Sequence, residues 1–420
     1  MRSTLKTPLL LMTLLPVALP ALAAEITVAC GDGGAADFCP ALAQRWAEAN
    51  GHQVNIVTTP ASPTEKLSLY QQLLGSQSQD VDVLMVDIVW PGLLAEQLVD
   101  LHDYLPEGAA EGFIPSLMEN NTVQGKLVAL PWFTDAGLLY YRHDLLEQYG
   151  ADVPQTWQAL TDTARRIQNA EREAGNERMH GFVFQGRAYE GLTTNALEWV
   201  ASYGGGTFVD AEGQVTVNNP QAVEALALAA SWVGDISPEG VRNYMEEQAR
   251  GGFQAGNAVF MRNWPYVWSL GQADGTPIQN KFSVAPLPSG PEGQSVATLG
   301  GWNWAVSRYS DEPQAAADLV AYLTAEAQQK AHAIEFGRNP TRPALYEDED
   351  VLAAQPFIGE LYETVMNGVP RPASITGDAY PRVSNAIFNR VHDALSGSVT
   401  PEQAVQQLDS ELARLGRRGW

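Results

Sequence analysis

The stretch VDVLMVDIVW, Val81 to Trp90, is apolar and β-branched apart from Asp82 and Asp87. A run of this kind suits a strand buried on both faces, since a strand with one wet face would alternate. Upstream, EITVAC (Glu25 to Cys30) reads as a first strand, and PALAQRWAEAN has helical spacing with Asn50-Gly51 as its stop. QVNIVTT is then a second strand and TEKLSLYQQLL a second helix. Strand, helix, strand, helix, strand predicts an open, mostly parallel α/β sheet. Ligands gather at the carboxyl ends of such strands, which is where Asp87, Val89 and Trp90 fall.

Downstream, Gly125 to Gly150 predicts a strand pair around Pro131, then a strand running into a helix that Gly150 closes. A helix opened by Pro154 and Thr156 follows. Another begins at NNPQAVEAL, with Asn219 as its cap and Pro220 in its first turn. TPEQAVQQLDSELARL ends the chain as a helix whose Val405, Leu408, Leu412 and Leu415 share one face. With no repeat and no low-complexity linker, two lobes would be joined by short crossing strands.

Two aromatic stretches stand out, GGWNW (Gly300 to Trp304) and RNWPYVW (Arg262 to Trp268). Two glycines leading into a strand mark a place where backbone must approach something closely. A flat aromatic face there can cover the apolar face of a sugar ring. In a chain with 11 tryptophans the plain alternative is a core position.

Arg2 and Lys6 precede the apolar run PLLLMTLLPVALP, and Ala21-Leu22-Ala23 offers small residues for cleavage after Ala23 or Ala24. Residues 1–23 are expected to be a secretory signal peptide, giving a periplasmic, exported protein. A lipoprotein would use Cys30, but Thr27-Val28-Ala29 lacks the leucine such sites carry. The 420-residue chain has two cysteines, Cys30 and Cys39, and in an oxidising compartment they predict one disulfide. A metal site is not expected. About 396 residues remain after Ala24 (420 less 24), more than one core usually organises, so two domains are expected. The net charge of −24 becomes −26 once Arg2 and Lys6 leave, which argues against nucleic acid and anionic membrane as partners.

Taken in order, VDVLMVDIVWPG, LPWFTDAGLLYYRHDLLEQYG, TWQAL, QGRAYEGL, FQAGNAVFMRNWPYVW, APLP, TLGGWNWAVS and VPRP (Val369 to Pro372) resemble the periplasmic substrate-binding proteins of ABC sugar importers. The trehalose/maltose-binding members are the most similar, and the resemblance spans the mature chain. It implies a two-lobed periplasmic-binding-protein fold of α/β class, with an interlobe ligand cleft and a hinge of crossing segments. Lobe one would take residues 24–134 and 289–341, and lobe two 135–288 and 342–420. The protein would be a monomer without cofactor that binds an α-glucoside and delivers it to the transmembrane subunits of an ABC permease.

The resemblance places the ligand positions on Lys66, Asp87, Asp135, Trp264, Gly301, Trp302 and Arg371, with Phe133 where close relatives carry a tyrosine. The chemistry of each fits. Asp87 and Asp135 could each accept two sugar hydroxyls, Lys66 and Arg371 could donate, Trp264 and Trp302 could stack on hexose faces, and the backbone at Gly301 or Trp302 could donate an N–H. Close relatives place Arg at Lys66, and a Glu in the first loop where this chain offers only Asp37. Those departures leave a smaller glucoside, such as glucosylglycerol, as an alternative ligand. A glycoside hydrolase using Asp87 and Asp135 is the alternative of another class. Nothing in the sequence marks either carboxyl as raised, and the element order does not suggest an eight-fold barrel. The histidines His52, His102, His143, His180, His332 and His392 are scattered and read as surface or capping residues.

Overall fold

The computed structural model describes residues 23–31, 38–291 and 293–420, the side chains of residues 360 and 361 excepted. The expected signal peptide, apart from Ala23, and the first-loop Ala36-Asp37 lie outside the described residues. Ten strands carry the framework: β1 (Glu25–Cys30), β2 (Gln53–Thr58), β3 (Val83–Asp87), β4 (Leu130–Ala136), β5 (Leu138–Tyr141), β6 (His180–Val183), β7 (Ala258–Asn263), β8 (Ser283–Ala285), β9 (Leu299–Val306) and β10 (Asn339–Pro340). The first sheet has the order β10-β4-β9-β3-β1-β2 and the second β8-β5-β7-β6.

β1 pairs with β2 and β3 in parallel, as the opening alternation requires. The remainder of the first sheet corrects the expectation of a mostly parallel one: β9 runs antiparallel to both β3 and β4, and β10 antiparallel to β4. The physical reason is the path of the chain. β4 leads out of the first sheet, and the chain enters the second at Gly137, so β9 is a returning strand that runs back alongside it. A Cβ at Gly137 would stand 2.2 Å from Glu198 Oε1, so the crossing leaves no room for a side chain. Of the strand pair expected around Pro131, β4 carries Pro131 itself, and the two-residue strand Lys126–Leu127 before it pairs with Thr122–Val123 and not with β4. Its pairing with β9 shifts register between Trp302 and Asn303, which face Phe133 and Pro131. A proline that has no N–H to give the ladder is accommodated by such an irregularity.

The first sheet is covered on both faces. The helices Phe38–Asn50 and Pro313–Leu323 bury Trp46 and Leu319 with Ile26, Val28, Trp132 and Trp304. The helix Pro63–Gly75 buries Tyr70 and Leu74 with Val86 and Trp90 on the other. Around the second sheet, the helices Trp157–Glu173, Glu190–Ser202, Pro220–Trp232, Tyr380–Leu395 and Pro401–Leu415 share a core with Phe182 and Phe260. The expected caps form: Thr156 Oγ1 accepts from Ala159 N at 3.1 Å and Asn219 Oδ1 from Ala222 N at 2.9 Å. In the last helix Val405, Leu408 and Leu412 are buried and Leu415 is partly so.

Cys30 and Cys39 form the expected disulfide, joining the end of β1 to the first helix. His332 departs from the surface reading. It is 1% exposed and stacked between Phe38 and Trp132, with ring centroids 4.4 and 4.7 Å away. Burial holds it well below its ordinary pKa, so it packs as a neutral aromatic ring. Among the described residues, no helix is long and apolar enough to cross a membrane.

Candidate functional site

Strand register brings the chemistry together. Trp302 on β9 lies directly between Asp87 on β3 and Phe133 on β4, and two positions further along Gly300 faces Asp135. Three segments far apart in sequence thus become cross-strand neighbours at one end of the first sheet. Gly301, at φ +132°, precedes Trp302, and a Cβ there would stand 2.5 Å from the carbonyl oxygen of Phe133. A Cβ on Gly300 would reach 2.9 Å from the Trp264 ring, so GG is what lets the second lobe's tryptophan lie over this strand.

These residues line one cavity between the two sheets, with an empty volume of about 950 Å³ that is partly open to solvent. All eight positions singled out from sequence, Lys66, Asp87, Phe133, Asp135, Trp264, Gly301, Trp302 and Arg371, border it. So do Glu190, Glu246, Glu247, Tyr266 and Arg338, which the sequence did not mark. The three glutamates stand in the first turns of helices, a placement that the helix dipole favours; Glu190 falls within QGRAYEGL, but nothing in that stretch singled it out from its neighbours. Arg338 follows Gly337, whose left-handed turn ends the helix Glu326–Phe336; no signal linked it to a cleft.

Asp87 is less free than a double acceptor would be. Its Oδ1 already accepts from Val89 N at 3.1 Å and from Arg371 Nη2 at 2.7 Å. Arg371 Nη1 donates at 2.7 Å to Glu190 Oε1, which Tyr380 also supports, while Ser384 Oγ donates to Glu190 Oε2 at 2.6 Å. Arg371 therefore bridges a carboxylate of the first sheet and one at the head of the helix Glu190–Ser202.

Asp135 is held differently. Its Oδ2 is 3.6 Å from Arg338 Nη1, beyond hydrogen-bond length, and its buried Oδ1 has no partner among the described residues. Burial pushes its carboxyl up to about 6, with Arg338 and Arg262 opposing; burial also raises Asp87, against the pull of Arg371. Both carboxyls are thus perturbed, contrary to the sequence reading, because that reading had no access to their burial.

The two tryptophans each rest on a cation. Lys66, 2% exposed, holds its Nζ 4.3 Å from the Trp302 ring centroid, with Trp90 edge-on to the same indole. Arg262 lies 3.9 Å from the Trp264 centroid and is anchored by a buried pair with Glu198. Trp264 Nε1 is 3.4 Å from Glu246 Oε1. Phe133 gives a ring face and no hydroxyl, and the Arg338 guanidinium lies over it at 4.5 Å. Among the described residues, no three or more His, Cys, Asp or Glu side chains are grouped to hold a metal ion.

Residues 35–330 match the sequence model described as bacterial extracellular solute-binding protein. The chain is 48% identical over 400 residues, 95% of each chain, to the "Probable ABC transporter-binding protein" of Deinococcus radiodurans. It is 42% identical to the maltose-bound MalE3 of T. maritima, whose structure it matches with a TM-score of 0.88 over 94% of this chain and 100% of that one. An ABC transporter solute-binding protein from Agrobacterium radiobacter K84 in complex with ribitol shares the two-lobed fold at a TM-score of 0.83 and 21% identity, covering 93% of this chain and 98% of its own. The family model and the full-length relatives agree with the cleft between two sheets: this chain belongs to the bacterial extracellular solute-binding proteins.

Proposed function

We propose that the protein is the exported substrate-binding component of an ABC sugar importer. It clamps an α-glucoside disaccharide of the maltose or trehalose class between its lobes and presents it to a membrane permease. The observation that carries this reading is the composition of the cleft. Two indoles, one on β9 and one just past the end of β7, border a space that also holds a buried carboxylate with an unpartnered oxygen and two buried guanidinium groups. Aromatic faces suit the apolar faces of hexoses, and charge-assisted bonds suit their hydroxyls. The maltose bound by MalE3 supports the sugar class. A lobe one of residues 24–134 with 289–341, and a lobe two of 135–288 with 342–420, would close about the passages near Gly137, Ala297–Leu299 and Val369. The disulfide supports export under a signal peptide at residues 1–23.

A smaller glucoside is the second reading, favoured by Phe133, which brings no hydroxyl to the first lobe. Hydrolysis is not proposed, although Asp135 near 6 would suit an acid, because Asp87 is tied to Arg371. Titration calorimetry with maltose, trehalose, sucrose and glucosylglycerol, with tryptophan emission followed in parallel, tests the reading. One-to-one binding of one of them with changed emission supports it; silence with all four, or steady glucose release, overturns it. Trp302→Ala should weaken binding by about 1–3 kcal/mol, and retained affinity with lost stability would make Trp302 a core residue.

A further inference from the structure

We propose that Arg338 and Asp135 together read two neighbouring hydroxyls at one end of the ligand, so that Arg338 sets which sugar ring the cleft accepts. The inference rests on the sugar-binding reading above.

Arg338 is 7% exposed, borders the cavity and keeps a buried Nε with no partner among the described residues. Its guanidinium is 4.5 Å from the Phe133 centroid on the first sheet's side and 4.5 Å from that of Tyr266 on the second's. Two ring faces fix the plane of the fork without using its N–H groups. Gly337 is what allows this seat: at φ +69° it brings the chain against the turn at Pro265–Ser269, and a Cβ would lie 2.6 Å from Ser269 Oγ. Tyr266 is in turn fixed by donating to Glu247 Oε1 at 2.6 Å.

Beside this fork stands Asp135, with an acceptor oxygen that nothing occupies. A buried acceptor oxygen without a partner, on a carboxylate whose other oxygen lies 3.6 Å from a guanidinium, is unfavourable in an empty protein and complementary to a group that both gives and takes. A hydroxyl is such a group. With Nη1 and Oδ2 separated by 3.6 Å, one hydroxyl can donate to Asp135 while the next on the ring accepts from Arg338. Phe133 supplies no hydroxyl of its own, so the donor at this end falls to Arg338. A ring lacking either hydroxyl would leave one buried polar group short of a hydrogen bond, a stronger rejection than a missing apolar contact gives.

The test is calorimetry on the full mature protein with maltose or trehalose, whichever it binds more tightly, and with the derivatives of that sugar deoxygenated at each position in turn. Arg338→Met should weaken the parent sugar by about 10- to 100-fold and make binding indifferent to one hydroxyl. Asp135→Asn should make it indifferent to the neighbouring one. If Arg338→Met fails to fold, Arg338→Lys keeps the cation between the rings without the fork, and should show the same selective indifference. Wild-type binding with Arg338→Met unchanged, or weakened equally across all derivatives, overturns this inference and leaves the sugar-binding reading standing. No binding of any glucoside by the wild type overturns both.

Discussion

The two guanidinium groups of the cleft are equally buried and differently employed. Arg371 is 4% exposed and Arg338 7%. Each has an Nε without a partner among the described residues, so the contrast lies in the forks and in the carboxylates they face. Arg371 meets Asp87 and Glu190 at 2.7 Å each, and Glu190 is further held by Tyr380 and Ser384. Arg338 stops 3.6 Å short of Asp135 and leaves that carboxylate an open oxygen. Polar groups that satisfy one another fix geometry, whereas groups left short of partners cost stability until something else satisfies them. On this contrast rests the proposal that the Arg371 end holds the two sides of the cleft together and the Arg338 end takes the ligand.

That contrast breaks first at Arg371. Arg371→Met leaves Asp87 and Glu190 buried without their cation, which should lower unfolding stability by about 3–5 kcal/mol, read by urea denaturation at pH 7. Asp135→Asn should do the reverse. It removes a buried charge that Arg338 only partly balances, so stability should hold or rise while sugar affinity falls by about 2 kcal/mol. Denaturation and calorimetry on both variants decide the matter: if Asp135→Asn unfolds the protein and Arg371→Met merely weakens binding, the two ends have exchanged roles.

How much of this was legible differs between the two ends. VPRP flagged Arg371, and the order of strands and helices announced an α/β protein with Asp87 at a strand end. GGWNW correctly signalled a close approach, because only glycine tolerates φ +132° under Phe133 and the nearness of Trp264. What the sequence could not carry were pairings between distant segments. Arg371 with Asp87 joins residues 284 apart, and Arg338 reaches Phe133 and Tyr266 only after three elements have packed. The antiparallel return of β9 was hidden for the same reason: a strand's direction is set by where the chain comes from, not by its own residues. His332 misled because a lone histidine carries no signal of the two rings that enclose it.

A smaller effect sharpens the comparison through pH. With its carboxyl near 6 and an ordinary value of 3.8, Asp135 holds in the folded protein a proton that the unfolded chain has released between those values. The ligand-free protein should therefore lose stability as pH rises from about 4 through 6, and Asp87 and Glu198, also raised by burial, act in the same direction. Hydroxyls donating to Asp135 favour the ionised form, so affinity should rise over the same window, by about tenfold or less for each step of one in pH. Arg338 and Arg262 face this carboxyl, as do Tyr140 and Tyr346, which burial keeps neutral. Opposite slopes for melting temperature and affinity are expected, and both should flatten in Asp135→Asn; parallel slopes would mean that another group governs binding.

The smallest effect should come from the rim. Arg187 Nη2 reaches Glu65 Oε1 at 3.0 Å, with both side chains about half exposed, and Thr64 Oγ1 accepts from Glu190 N at 3.1 Å beside it. These contacts join the helix Pro63–Gly75 to the head of the helix Glu190–Ser202 at the surface, as Arg371 joins Asp87 to the same helix within. Water and salt screen an exposed pair, and its two long side chains lose freedom in forming it. Arg187→Gln should accordingly change stability by less than about 1 kcal/mol and leave sugar affinity within a few-fold, with the difference vanishing in high salt. If Arg187→Gln instead weakened binding as much as Asp135→Asn, lobe closure would be governed at the rim, and the division between a holding end and a binding end would no longer describe this cleft.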